Sequence, residues 1–230
     1  MGKVFDEIRQ LEREGKFLGK TVQFVPHATN HIKSWWKQIA KEQKADIVLI
    51  EIGGTIGDYE NTPFLFAAKS LEAMGAEGIV ICTNTMHKVA NIVQNAITIP
   101  LLHIADATGE KLKTDGVKHV GLLGTAFTMS ERFYSSHLTD KFDLNVLTPT
   151  TDEQTTVHEI IYNELCKGVV CEASRNCYIE IINNLKQRGA EAIILGCTEI
   201  ALLISQTDTP LPLYDTTQIH ADAAVAFAIT

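Results

Sequence analysis

Positive charge is scarce in this chain. Twenty Lys and Arg stand against 28 Asp and Glu, a net charge of −8 at pH 7. Nucleic acid and anionic membranes are therefore not expected as partners, because a surface of that sign repels phosphates. No apolar run reaches membrane-spanning length, and Met1-Gly2-Lys3-Val4-Phe5-Asp6-Glu7 does not read as a signal peptide. Five cysteines make an odd number without framework spacing, so reduced thiols and a cytoplasmic location are expected. No Gly-x-x-x-x-Gly-Lys-Ser/Thr occurs, which excludes the usual phosphate-cradling loop. No Lys stands in a motif suggesting a pyridoxal attachment, and Cys166, Cys171 and Cys177 lack metal-like spacing, so no cofactor or metal is expected.

What the chain does have is a repeat built around two cysteines. Leu71-Glu72-Ala73-Met74-Gly75-Ala76-Glu77-Gly78-Ile79-Val80-Ile81-Cys82-Thr83 returns as Leu185-Lys186-Gln187-Arg188-Gly189-Ala190-Glu191-Ala192-Ile193-Ile194-Leu195-Gly196-Cys197-Thr198. Each copy reads as a helix end closed by Gly, a turn, and a short apolar strand delivering Cys-Thr at its C-terminal edge. Each is followed by a Pro-led segment, Pro100 through Asp106 and Thr108 in one and Pro210 through Asp215 and Thr216 in the other. Two similar halves, each presenting a thiol, predict a cleft with a cysteine on either wall. That arrangement suits removal of a proton from one face of a carbon and its return to the other.

At 230 residues, 45% hydrophobic and 21% charged, the chain can form one large α/β unit or two small domains. Continuous Val/Ile/Leu runs predict strands over 21–26, 46–52, 78–82, 101–104, 117–123, 144–147, 192–196 and 211–214. Helical patterns lie between them, notably over 30–43, 63–74, 152–166, 172–188 and 216–229. Such alternation implies right-handed βαβ units and an α/β fold of two pseudo-symmetric parallel-sheet domains, with the site in the cleft between them. The expected division is 1–98 plus 210–230 against 99–209. Ligands in such folds gather at C-terminal strand edges, where both Cys-Thr pairs sit.

A free cysteine is commonly a small buried hydrophobe, and Cys166, Cys171 and Cys177 keep that reading. Cys82 and Cys197 differ because each ends a strand and precedes a Thr and a helical segment, 86–94 or 199–204. The positive end of a helix dipole there would lower the thiol pKa and favour thiolate. Nearby N–H groups and Thr hydroxyls could hold a carboxylate.

From about Ala67 to Thr230 the chain resembles the aspartate/glutamate racemase family of cofactor-independent, two-cysteine enzymes. The resemblance rests on Gly75-Ala76-Glu77-Gly78-Ile79-Val80-Ile81-Cys82-Thr83-Asn84-Thr85-Met86-His87-Lys88, His103-Ile104-Ala105-Asp106-Ala107-Thr108 and Gly121-Leu122-Leu123-Gly124-Thr125. It continues through Glu164-Leu165-Cys166-Lys167-Gly168, Gly196-Cys197-Thr198-Glu199-Ile200 and Tyr214-Asp215-Thr216-Thr217. It implies Cys82 and Cys197 as the acid–base pair. Thr83, Asn84, Thr85, Thr125 and Thr198 would bind the carboxylates and ammonium group of a small acidic amino acid. The family also suggests a homodimer. Lys167 is a further substrate contact or a surface helix-end lysine.

Residues 1–66 lack the family's Gly-Gly-Met-Ser type loop and instead resemble part of the synthetase domain of CTP synthase. The matching stretches are Glu12–Gln23, Pro26–Lys33 and Ile50-Glu51-Ile52-Gly53-Gly54-Thr55-Ile56-Gly57-Asp58-Tyr59-Glu60. Charge shifts at the same place, since residues 1–64 are neutral overall and 65–230 carry the whole −8. The chain thus reads as a chimera joined near Phe64–Ala68. The expected function is interconversion of L- and D-aspartate or glutamate by two-thiol proton transfer at Cα, with the N-terminal replacement weakening substrate affinity. The competing expectations are an inactive α/β scaffold, or a residual magnesium or nucleotide site at Glu51, Asp58 and Glu60.

Overall fold

A computed structural model of the chain describes residues 2–18, 21–22, 27, 29–45, 68–73 and 75–230. The strand expected over 46–52 and the acids Glu51, Asp58 and Glu60 lie outside the described residues. So do much of the expected strand 21–26 and the N-terminal part of the helix 63–74. The chain divides into two compact units, Met1–Glu77 with Ala96–Ile99, and Gly78–Asn95 with Pro100–Thr230.

In the first unit α1 spans Gly2–Arg13 and α2 spans Thr29–Gln43. Ile8 is buried, with Phe17, Val22 and Trp35 packed around it, and His31 Nε2 lies 2.9 Å from Glu7 Oε2. Residues 68–73 are helical. The Glu72 carboxylate accepts from the Thr98 N–H at 2.6 Å and from the Thr98 hydroxyl, which together hold it below the usual carboxylate range.

The second unit is a parallel α/β structure. A two-stranded sheet pairs β1 (Ile79–Val80) with β2 (Leu101–Leu102). A four-stranded sheet runs in the order β4 (Asn145–Leu147), β3 (His119–Gly124), β5 (Ala192–Gly196), β6 (Leu213–Asp215), and every pairing is parallel. Around the sheets lie α3 (Ala90–Ala96), α4 (Ile104–Thr114), α5 (Ala126–Ser130), α6 (Arg132–Phe142), α7 (Thr151–Asn163), α8 (Glu172–Gln187), α9 (Ile200–Leu203) and α10 (Thr216–Ala228).

Strand alternation divides the core. Val120, Leu122, Ala192 and Ile194 point to one face, where they pack with Leu112 of α4 and Tyr134 and Leu138 of α6. Leu123, Ile193 and Leu195 point to the other, against Val157 and Ile161 of α7 and Tyr178, Ile182 and Leu185 of α8. Burial on both faces explains why these strands read as unbroken apolar runs. Each such Leu or Ile contributes about 1.5–3 kcal/mol by leaving water.

The two copies of the repeat fold alike. Gly75 and Gly189 adopt left-handed φ values of 96° and 101°. Their N–H groups donate to the Glu72 and Lys186 carbonyls, and Ala76 and Ala190 donate to Leu71 and Leu185. This is one helix-ending motif used twice, and it requires the glycine because an L side chain is strained at such a φ. Beyond it, Ile79 donates to the Pro100 carbonyl as Ile193 does to Pro212, both at 2.9 Å. The strand registers pair Leu101 with Ile79 and Leu213 with Ile193. The counterpart of Asp215 is therefore His103, not Asp106. Each is the N-cap of the helix that follows, with Asp215 accepting from Thr217 and His103 Nδ1 accepting from Ala105.

Candidate functional site

Cys82 follows β1 and is exposed, whereas Cys197 follows β5 and is partly buried. The turn after Cys82 is held by His87. Its Nδ1 lies 2.8 Å from the Thr83 carbonyl, and its Nε2 accepts the Ile104 N–H at 3.0 Å. One nitrogen faces an acceptor and the other a donor, so the network assigns the neutral tautomer protonated at Nδ1. Burial first, and His103 next, push the pKa of His87 down to about 3.

Asn84 is 3% exposed. Its Nδ2 donates to Thr216 Oγ1 at 3.0 Å, and that hydroxyl donates to the Leu195 carbonyl at 2.9 Å. The other amide atom, Oδ1, is buried without a hydrogen-bond partner. Thr85 Oγ1 lies 3.2 Å from Thr125 Oγ1 and 3.4 Å from Thr128 Oγ1, and Thr125 and Thr128 are 3.2 Å apart. Three hydroxyls thus meet where β3 hands over to α5, and Thr125 also caps α5 by accepting from the Thr128 N–H.

The Cys197 thiol lies 2.9 Å from Glu199 Oε2, which also accepts from the Thr198 hydroxyl at 2.6 Å. Burial, and then the hydrogen bond to this carboxylate, push the thiol up to about 12. Position at a strand-to-helix turn predicts a helix dipole that favours thiolate. At Cys197 the opposite holds, because α9 is only a four-residue helix and a carboxylate sits beside the sulfur. Glu199 itself is opposed by burial, yet donation from Cys197 and Thr198 leaves its pKa lowered.

Of the residues named from sequence, the structure brings Thr85 together with Thr125 and ties Asn84 through Thr216 to the strand leading into Cys197. Thr83 engages through its carbonyl, and Thr198 is exposed beside Glu199. His87, Thr128, Glu199 and Thr216 were not named as site residues. Three of them sit inside the quoted motifs, His87 and Glu199 within two residues of a named one, which was the available signal. Thr128 had none. Cys171 donates to Glu164 at 3.2 Å, which fits a structural thiol. An open groove of about 420 Å³ beside α6 and β4, lined by Arg132, Ser136, Asp140 and Asn145 among others, contains none of the named site residues.

His103, Asp106 and His137 place ligand-type atoms within 4.8 Å of one another. As folded, Asp106 takes a hydrogen bond from His137 and an ion pair from Lys141, and His103 stacks on His137. The two imidazoles stack with centroids 4.1 Å apart and planes 2° from parallel, and an ion cannot lie in both ring planes at once. Asp106 also holds His137 at 2.5 Å and Lys141 at 2.7 Å, and these donors help keep its pKa low, at about 2, against the opposing effect of burial. Among the described residues, no helix is long and apolar enough to cross a membrane.

Comparison with known proteins gives this geometry a context. A proposed Asp/Glu racemase from Yersinia pestis is 36% identical and superposes with a TM-score of 0.72, covering 99% of this chain and 95% of that one. An aspartate racemase homologue from Pyrococcus horikoshii OT3 is 29% identical with a TM-score of 0.68, covering 90% of this chain and 96% of that one. The chain is also 50% identical over 70 residues to the CTP synthase of Archaeoglobus fulgidus, which covers 30% of this chain. It spans only 13% of that enzyme's length, so it joins a small CTP-synthase-like piece to a racemase-like body. The Asp/Glu/hydantoin racemase family model matches residues 53–224, and the chain belongs to that family.

Proposed function

We propose that the chain racemises a small acidic amino acid, aspartate or glutamate, by proton exchange at Cα between Cys82 and Cys197. The observation that carries this reading is the contact between the Cys197 thiol and the Glu199 carboxylate, 2.9 Å apart. A thiol held near pKa 12 is a proton donor at rest, and the carboxylate beside it holds the proton on sulfur, poised for delivery to Cα.

In one direction the Cys82 thiolate takes the Cα proton. The electron pair of the broken C–H bond passes onto Cα and into the α-carboxylate, and Cys197 S–H delivers its proton to the opposite face. The reverse direction exchanges the roles, with Cys197 as thiolate and Cys82 as thiol, and proton exchange with water resets the pair. The Thr85, Thr125 and Thr128 hydroxyls offer donors for the charge that develops on the carboxylate. The unpaired Asn84 Oδ1 is a buried acceptor suited to the α-ammonium group, and leaving it unpaired costs about 1–3 kcal/mol. Thr83 and Thr198 complete the proposed binding set. No cofactor or metal takes part in this scheme.

The same proposal includes a homodimer, a cytoplasmic location and domains divided as 1–98 plus 210–230 against 99–209. The decisive experiment is deuterium incorporation from solvent into L-aspartate and L-glutamate, followed by mass spectrometry and chiral analysis. Label at Cα in the D-enantiomer supports the reading. Absence of exchange above buffer from either substrate overturns it and leaves the inactive α/β scaffold.

A further inference from the structure

Thr216 is fully buried and uses its hydroxyl twice. It accepts from Asn84 Nδ2 at 3.0 Å and donates to the Leu195 carbonyl at 2.9 Å. A hydroxyl has one proton, so donating to Leu195 leaves it only an acceptor toward Asn84. The facing amide atom must then be the nitrogen, and Oδ1 must point the other way. One hydroxyl thereby decides which end of the Asn84 amide is free.

Its placement in the chain gives this bond a wider reach. Asn84 lies two residues after Cys82, and Leu195 lies two residues before Cys197. The chain of bonds therefore spans from one cysteine-bearing turn to the other through the first residue of α10. That helix is itself anchored. Asp215 caps its N-terminus, and His220, one turn beyond Thr216, lies with Nε2 2.8 Å from the Leu102 carbonyl of β2. A second element thus holds Thr216 against the ends of both strands.

We infer that Thr216 is a positioning residue, acting through Asn84 and Leu195 to orient the Asn84 amide and to fix the spacing of the two thiol-bearing turns. Its effect on turnover rests on the racemase reading above; its effect on the amide does not. The hydroxyl is the link between Asn84 Nδ2 and the Leu195 carbonyl, so a side chain of equal shape without it removes that link.

The test compares Thr216→Val, which keeps the shape, with Thr216→Ser, which keeps the hydroxyl. Two readouts are followed: the Asn84 side-chain amide by NMR hydrogen exchange, and kcat and KM in both directions. Slow amide exchange is expected in the wild type and in Thr216→Ser, with at least tenfold faster exchange in Thr216→Val. Turnover in Thr216→Val should show raised KM, as Oδ1 is no longer held toward the ammonium group, and kcat lowered at least tenfold in both directions. Thr216→Ser should restore both. Exchange in Thr216→Val as slow as in the wild type would overturn the inference, as would a Thr216→Ser variant that behaves like Thr216→Val. If the wild type itself racemises nothing, the racemase reading fails and the amide exchange alone decides for or against Thr216. If Thr216→Val does not fold, Asn84→Leu takes its place, and wild-type kcat and KM in that variant would count against the inference.

Discussion

The thiol of Cys197 and the carboxylate of Glu199 lie 2.9 Å apart, two residues apart in the chain. A negative charge so close keeps a proton on sulfur, and burial adds to the effect. Replacing Glu199 by Gln removes the charge while keeping size and an acceptor oxygen. The Cys197 pKa should fall, so iodoacetamide should alkylate it faster at pH 8 than in the wild type. Turnover that uses Cys197 as base should quicken, by up to about tenfold for each pKa unit lost, because more of the sulfur is thiolate. Unchanged alkylation and unchanged rates would show that the contact has no chemical consequence.

The cysteines should be separable by face. Cys82→Ser should keep solvent exchange only from the enantiomer whose proton Cys197 removes, and Cys197→Ser only from the other. Both should lose full racemisation, because each turnover uses both groups. Exchange rates for each enantiomer, taken separately, check this. Equal loss from both enantiomers in each mutant would contradict assignment to opposite faces.

Acid should destabilise the fold through buried His87 and partly buried His103. The folded pKa of His87, about 3, lies below its ordinary 6.5, as does that of His103, about 4. The unfolded chain therefore binds protons that the folded chain refuses, and stability falls as pH drops from about 6.5 toward those values. Each contributes at most about 1.4 kcal/mol per pH unit. Asp106, with a folded pKa of about 2, acts lower, where its contribution is lost as pH falls below 3.8. His87→Gln should flatten the slope of urea stability between pH 7 and 5 by about one proton. An unaltered slope would mean that His87 titrates normally.

Gly196 marks a close approach that a methyl group cannot enter. A Cβ there would meet the Leu123 carbonyl oxygen at 2.9 Å and Leu122 Cδ1 at 3.1 Å. Backbone must move to make room, so Gly196→Ala should cost about 1–3 kcal/mol. The displacement falls on the residue preceding Cys197, so kcat should drop as well. Thermal unfolding and turnover together check this, and a variant with wild-type values in both would show that the strand end is free to shift.

Much of this architecture is legible in the residues. The apolar runs over 117–123 and 192–196 predict buried strands, and the structure places strands His119–Gly124 and Ala192–Gly196 side by side with both faces covered. Gly75 and Gly189 mark helix ends because a left-handed φ favours glycine, which is a local property. The strand expected over 46–52 and the acids Glu51, Asp58 and Glu60 lie outside the described residues.

Sequence by itself determined the repeat, the parallel α/β class and the two Cys-Thr turns, because propensity, periodicity and turn chemistry act over a few residues. Tertiary structure decided the rest. It matched His103 to Asp215 as caps, since strand register rather than residue type sets equivalence. It carried Thr216 to Asn84 across 132 positions, where a buried hydroxyl orients an amide. It also overturned the expected thiolate at Cys197, because desolvation and a neighbouring carboxylate depend on what folds around the sulfur. Hydrogen bonds of long range and local dielectric have no signature in a linear chain, and they set how the candidate site holds its protons.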